Sequence, residues 1–175
     1  MKRVAMAAAV ATMVLAGGCE TFQRQGPRAD AVFEAPKGSM LWGTVSFVEV
    51  DAGLLIRADV RGLPPGGVFG FHVHEKGDCS SADFTSAGGH FNPGGKPHAH
   101  PTKPERHAGD LPNLTADAEG NAVYVFETKL LTVTQGPSSV VGRAVVIHAK
   151  PDDYTSQPAG NSGPRIACGL IRKAD

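Results

Sequence analysis

No window of twelve or more residues in this chain carries a convincing helical stripe of apolar side chains, and that absence constrains the fold more than any other feature. Apolar character arrives instead in short runs bounded by breakers. "LWGTVSFVEV" and "GLLIRADV" flank the turn "DAG", and "VFGFHVHE" is entered through "GLPPGG". "NLTADAEGNAVYVFET" turns at "AEGN", and "SVVGRAVVIHA" and "RIACGLIR" complete the set. Runs of this length, rich in β-branched and aromatic residues and closed by Gly, Pro, Asn and Asp, read as strands and hairpins. The expectation is an all-β sandwich or barrel with two long Gly- and Pro-rich connections, over residues 76–113 and 149–164. Loops of that length in a compact domain usually carry function or stay disordered.

The N-terminus follows different rules. "MKR" followed by "VAMAAAVATMVLAGG" reads as an export signal over residues 1–18, too short and wrongly flanked for a stable membrane span. Its end, "LAGGC", resembles the lipobox of bacterial lipoproteins, with Ala16 where Leu is commoner, so Cys19 is the expected lipid attachment site. Glu20 after Cys19 gives no obvious signal for retention at the inner membrane, and the membrane face stays open. Residues 19–39 have mixed charge and no sustained periodicity, and read as a tether. The folded domain is expected over residues 40–175. The expected location is the periplasm or cell envelope, membrane-anchored through the lipid.

Composition narrows the partners. The 175 residues hold 17 basic and 17 acidic side chains. Nucleic-acid binding would need a marked basic excess, so it is excluded as the main activity. Three cysteines are an odd number for an exported chain. With Cys19 taken by lipid, Cys79 and Cys168 are left as an even pair in an oxidising compartment, where a disulfide is the default.

All seven histidines lie beyond residue 71. His72 and His74 alternate along one strand and so share a face, a ready chelate. "GGHFNPGGKPHAHPTKPERHAGD" adds His90, His98, His100, His107 and Asp110 in a loop. Imidazole suits zinc and copper, and an added carboxylate suits zinc.

At this point a resemblance emerges. "GFHVHE", "AGGHFNP", "RHAGDL", "VVIHAKPDD" and "GPRIACGLI" occur in order, and together they resemble copper,zinc superoxide dismutase over roughly residues 41–173. The cysteine just after "EKGD" and the exported start look more like the bacterial members than the cytosolic eukaryotic ones. The resemblance implies an eight-stranded Greek-key β-barrel of the immunoglobulin-like sandwich type. It implies copper held by His72, His74, His90 and His148, and zinc held by His90, His98, His107 and Asp110, with His90 shared. "HAH" leaves a choice between His98 and His100; the eight-residue interval from His90 favours His98. Asp152 matches the carboxylate that links a copper histidine to a zinc histidine, and Arg165 the arginine that guides the superoxide anion. Lys150 is a further steering candidate. The loop over residues 153–160 is shorter than its eukaryotic counterpart and lacks its charged pattern, with Ala159 where many relatives carry threonine. Monomer and homodimer both occur among bacterial relatives. Two rivals remain: a copper-holding or copper-delivering protein on the same scaffold, and a zinc hydrolase. The first tends to lose a copper ligand or the guiding arginine; the second needs an open zinc position.

Overall fold

The computed structural model describes residues 26–175, so the signal sequence, Cys19 and the first part of the expected tether lie outside the described residues. Among the described residues, ten strands and one short 3₁₀ turn make up the regular structure: β1 (Arg28–Val32), β2 (Trp42–Val50), β3 (Gly53–Arg61), β4 (Val68–Phe69), β5 (Phe71–His74), β6 (Leu114–Thr115), β7 (Ala122–Thr128), β8 (Ala144–His148), β9 (Arg165–Leu170) and β10 (Arg172–Lys173). Only Gly70 separates β4 from β5 and only Ile171 separates β9 from β10, so the ten are eight runs of chain.

Every ladder is antiparallel, in the sheet orders β10-β1-β2-β3-β7, β5-β8-β9 and β4-β6. The two interrupted runs join these sheets. One pairs with β8 through β9 and with β1 through β10; the other pairs with β8 through β5 and with β6 through β4. The result is the flattened Greek-key barrel, with the chain crossing between β3 and β4 and between β7 and β8. The expected hairpin at Asp51 and Ala52 is present, Val50 opposing Gly53. The second expected hairpin is a corner instead. Asp117 closes its turn by accepting the N–H of Asn121 at 2.7 Å, but β6 ladders with β4 and β7 with β3.

One boundary needs correction. The tether expected over residues 19–39 already contains β1, which pairs with β2 along its whole length and with β10. Ala29, Ala31 and Phe33 are buried in the main core, so the folded unit begins before residue 40. Two alanines supply most of that inward face, too little apolar contrast to show as alternation.

The main core is built by one face of each sheet. Phe47, Leu54, Ile56, Phe71, Val73, Val145, Ile147 and Ala167 are all fully buried within it. Period two then decides what the other face of β5, β8 and β9 offers. Phe71 and Val73 point into the barrel, so His72 and His74 point out of it. A smaller cluster of Phe84, Ala87, Ala144, Val146 and Cys168 covers part of that outer face. No helix among the described residues is long and apolar enough to cross a membrane.

Candidate metal centre

β5 pairs with β8 on one side only, and its free edge is where the long loop docks. Single bridges set His74 opposite His90 and His72 opposite Asp110. Backbone bonds fasten them: Val73 N–H to Gly109 O at 3.0 Å, Phe91 N–H to Val73 O at 2.8 Å, and Glu75 N–H to Gly89 O at 2.9 Å. Loop ligands are thus carried on backbone hydrogen-bonded to a strand edge. On the other side of the sheet register, His148 opposes Arg165 across an irregularity that follows Ile147.

Two groups of ligand atoms result, each with all its atoms within 4.8 Å of one another: His72, His74, His90 and His148, and His90, His98, His107 and Asp110. His90 belongs to both. All seven residues are buried.

In the first group, hydrogen bonds at the far nitrogens fix which nitrogen faces inward. His74 donates from Nδ1 to Gly88 O at 2.9 Å, and His148 from Nδ1 to Gly163 O at 3.1 Å. His72 donates from Nε2 to Asp152 Oδ2 at 2.8 Å. The remaining nitrogens therefore bear lone pairs. His74 Nε2 and His148 Nε2 stand 3.3 Å apart, while buried His72 Nδ1 and His90 Nε2 have no hydrogen-bond partner. Burial depresses these rings, and the closeness of His90, which disfavours a second like charge, adds to the effect on His72, which falls to about 3. His148 falls to about 4, also chiefly through burial. His74 lies well below its ordinary value and His90 is lowered, burial again being the main cause. At neutral pH these are unprotonated donors converging on one point, an arrangement that a soft, imidazole-preferring cation satisfies.

The second group surrounds one carboxylate oxygen. Asp110 Oδ1 lies 2.8 Å from His90 Nδ1, 2.9 Å from His98 Nδ1 and 3.2 Å from His107 Nδ1. Four ligands at ~2.0 Å from a tetrahedral zinc would have edges of about 3.3 Å, close to these spacings. His98 donates from Nε2 to Asp152 Oδ1 at 2.9 Å, so its other nitrogen faces Asp110. Burial works against charge on His98, but the carboxylates at its two nitrogens outweigh it and push its pKa up to about 9. Burial likewise opposes charge on Asp110, yet bonds from His107, His90 and His98 hold it well below the usual carboxylate range. Three nitrogens around one carboxylate oxygen are a donor set that suits zinc. Buried His107 Nδ1 approaches Asp110 Oδ1 without a well-directed hydrogen bond and fits the same donor set.

Asp152 spans the two groups, one oxygen on His72 and the other on His98. Asn113 anchors it by exchanging bonds with its backbone at 3.0 and 2.9 Å, and Tyr154 N–H donates to Oδ1 at 2.7 Å. Gly160 packs directly against the Asp152 carboxylate with φ +64°, a position that excludes any Cβ. Gln157 clamps the backbone of His98 in both directions, at 2.9 and 2.7 Å. None of these supports was singled out from sequence, and neither were the carbonyls of Gly88 and Gly163. A backbone carbonyl leaves no residue-type signal; Asn113 could have been suspected from its place directly after "RHAGDLP".

His100 stays outside both groups, accepting at Nδ1 from Thr102 N–H at 3.2 Å and meeting the Tyr154 ring edge-on at 4.4 Å. Cys79 and Cys168 form the disulfide, Cα atoms 5.7 Å apart. Arg165 is half-buried and donates to the carbonyls of Phe84 and Gly88, so one carbonyl orients both His74 and the guanidinium. Its charge contributes to the lowered pKa of His74 and of His148, after burial in each case. A cleft of about 350 Å³ opens beside His148, lined by Ser156, Pro158, Ala159, Asn161 and Gly163 among others and by no charged side chain. Lys150 is exposed, with its aliphatic stem beside Gly163.

A Greek-key barrel with two adjoining ligand groups, one all-imidazole and one with a carboxylate, joined through a single ring, defines a dinuclear metalloprotein of the redox-plus-structural kind. The chain belongs to the copper/zinc superoxide dismutase family: the family model described as "Copper/zinc superoxide dismutase (SODC)" matches residues 41–171. It is 44% identical to "Superoxide dismutase [Cu-Zn] 2" of Aquifex aeolicus over 134 residues, 74% of this chain and 78% of that one. It is 45% identical to "Superoxide dismutase [Cu-Zn]" of Talaromyces marneffei, covering 76% of this chain and 90% of that one. Among solved structures, a double mutant of a SOD-like protein from Bacillus subtilis superposes with TM-score 0.75 at 38% identity, covering 82% of this chain and 96% of the other. The protein is accordingly an oxidoreductase of the superoxide dismutase class, with copper and zinc as cofactors and superoxide as the family's substrate.

Proposed function

We propose that the protein removes superoxide in the cell envelope, exported by its N-terminal signal and anchored through lipid on Cys19. His72, His74, His90 and His148 hold copper; His90, His98, His107 and Asp110 hold zinc. Copper, when bound, supplies the one-electron couple that the reaction needs, whereas zinc has no redox chemistry to offer. Two superoxide anions and two protons give one dioxygen and one hydrogen peroxide.

The observation that carries this reading is the division of labour in His90. Its Nδ1 is engaged with the Asp110 group, while its buried Nε2 faces the three other imidazoles without a partner. A ring held at one nitrogen can take up a proton at the other and deliver it to the reduced oxygen species without leaving its place. Asp152 keeps the His72 and His98 rings in register on either side.

Arg165 selects the anion. Its guanidinium is fixed by two carbonyls, retains further donors, and is close enough to His74 and His148 for its charge to bear on both. A delocalised fork of donors suits a small diatomic anion. The cleft itself is uncharged, so attraction falls on Arg165, with Lys150 outside. Retention of all four copper-side histidines and of Arg165 weighs against a copper carrier. A zinc group with four protein ligands weighs against a hydrolase.

The test is Arg165→Ala in metal-loaded protein. The second-order rate of superoxide decay should fall, and its dependence on ionic strength should flatten, with bound copper unchanged. Unaltered kinetics would remove Arg165 from the reading. Wild-type protein carrying both metals and failing to accelerate superoxide decay would remove the function.

A further inference from the structure

A second cavity, of about 570 Å³, shares no residue with the metal groups or with the cleft beside His148. Pro27, Val133, Val141, Ser139, Arg143 and Lys173 line it. Its size falls inside the ~300–1,000 Å³ common for small-molecule sites, and its exposed lining is more apolar than polar, with Thr134, Gln135 and Gly136 completing the walls. Two cationic residues, Arg143 and Lys173, are among those lining it. Neither Arg143 nor Lys173 forms an ion pair among the described residues. Glu49, the carboxylate bonded to the Val133 wall, is already committed. It accepts the N–H groups of Val133 and Thr134 at 2.7 and 2.6 Å and the Thr134 hydroxyl at 2.8 Å. The Ser139 hydroxyl is turned to Val133 O at 3.2 Å, which further fixes that wall.

Arg143 is also held in advance of any ligand. One of its nitrogens donates to Glu75 O, and its guanidinium carbon lies 4.3 Å from the centre of the Phe91 ring. A cation already immobilised loses little side-chain entropy when it meets an anion. Its remaining N–H groups and the Lys173 ammonium are the cationic donors of a cavity whose exposed lining is otherwise largely apolar. The geometry points to a binding site for a small amphipathic monocarboxylate, its chain against Pro27, Val133 and Val141 and its carboxylate between Arg143 and Lys173. This site is independent of superoxide chemistry.

Decanoate titrated into the full-length, reduced, copper- and zinc-loaded protein, followed by amide NMR, tests the assignment. Saturable shifts should centre on Val133, Ser139, Val141 and Lys173, with a dissociation constant on the order of 1 mM or tighter. Decanol, which lacks the charge, and acetate, which lacks the chain, should each bind about tenfold more weakly or worse. Lys173→Glu should weaken decanoate by about tenfold, and Arg143→Gln should act in the same direction. Equal binding of decanol, an unaffected Lys173→Glu variant, or shifts centred elsewhere would overturn the site. So would sedimentation showing a dimer that Lys173→Glu dissolves, because a second copy would then be the occupant.

Discussion

A single carboxylate, that of Asp152, hydrogen-bonds to His72 with one oxygen and to His98 with the other, and so ties the orientation of one ring to that of the other. Such outer partners typically govern metal affinity by 10–100-fold. Asp152→Asn should therefore lower copper and zinc retention together, by roughly that range, in chelator competition. Loss confined to one metal would show that the two bonds are not coupled. Part of the candidate metal centre was legible in sequence because metal binding demands particular side chains at particular positions: "HVH" on a strand, then His90, His98, His107 and Asp110 in one loop, whereas His148 was reached through resemblance. Asp152 and Arg165 were reached only through resemblance, since one Asp or Arg in a loop carries no signal of its own. The carbonyls of Gly88 and Gly163, which fix the nitrogens of His74 and His148, were invisible because every residue has a carbonyl.

Element by element, alternation explains both what was legible and what was missed. "FHVH" buries Phe71 and Val73 in the barrel and turns His72 and His74 outward, so the core and the site are written into the same four residues. β1 was missed because Ala29 and Ala31 give its inward face little contrast with its surroundings. The corner between β6 and β7 looked like a hairpin because turn chemistry at Asp117 and Gly120 does not say which sheet each strand joins. The Cys79–Cys168 disulfide closes a sequence separation of 89 residues and ties the segment before Phe84 and Gly88 to β9, which carries Arg165. In the chain-entropy model a closure of that length contributes roughly 4.6 kcal/mol. Replacing both cysteines by serine should lower unfolding stability by up to about that amount. It should also reduce activity more than copper content, because the acceptors of Arg165 lose their anchor. Activity falling strictly in proportion to copper would place the disulfide's role in folding alone.

For the molecule as a whole, the buried histidines make stability without metal depend on pH in a defined direction. His72 and His148 have folded pKa values near 3 and 4, against 6.5 in an unfolded chain. Between those limits the unfolded state binds more protons, so metal-free protein should lose stability as pH falls from about 6.5 toward 4. His98 acts oppositely: its pKa of about 9 gives a contribution complete below 6.5 and lost as pH rises through 9. Denaturant midpoints of stripped protein should therefore peak near neutrality and fall on both sides. Metal-loaded protein should lie higher throughout that range, because ligand binding stabilises only the folded form. A flat profile for stripped protein would mean that the imidazoles are far more hydrated than their burial indicates.

The shared ring of His90 carries the functional reading, and anomalous diffraction from metal-loaded crystals, collected on both sides of the copper and zinc absorption edges, addresses it directly. One copper peak beside His90 Nε2 and one zinc peak beside His90 Nδ1, on opposite sides of the same imidazole, are the expected result. Two ions with no ring in common, or one kind of ion occupying both groups in protein that is fully active, would contradict it.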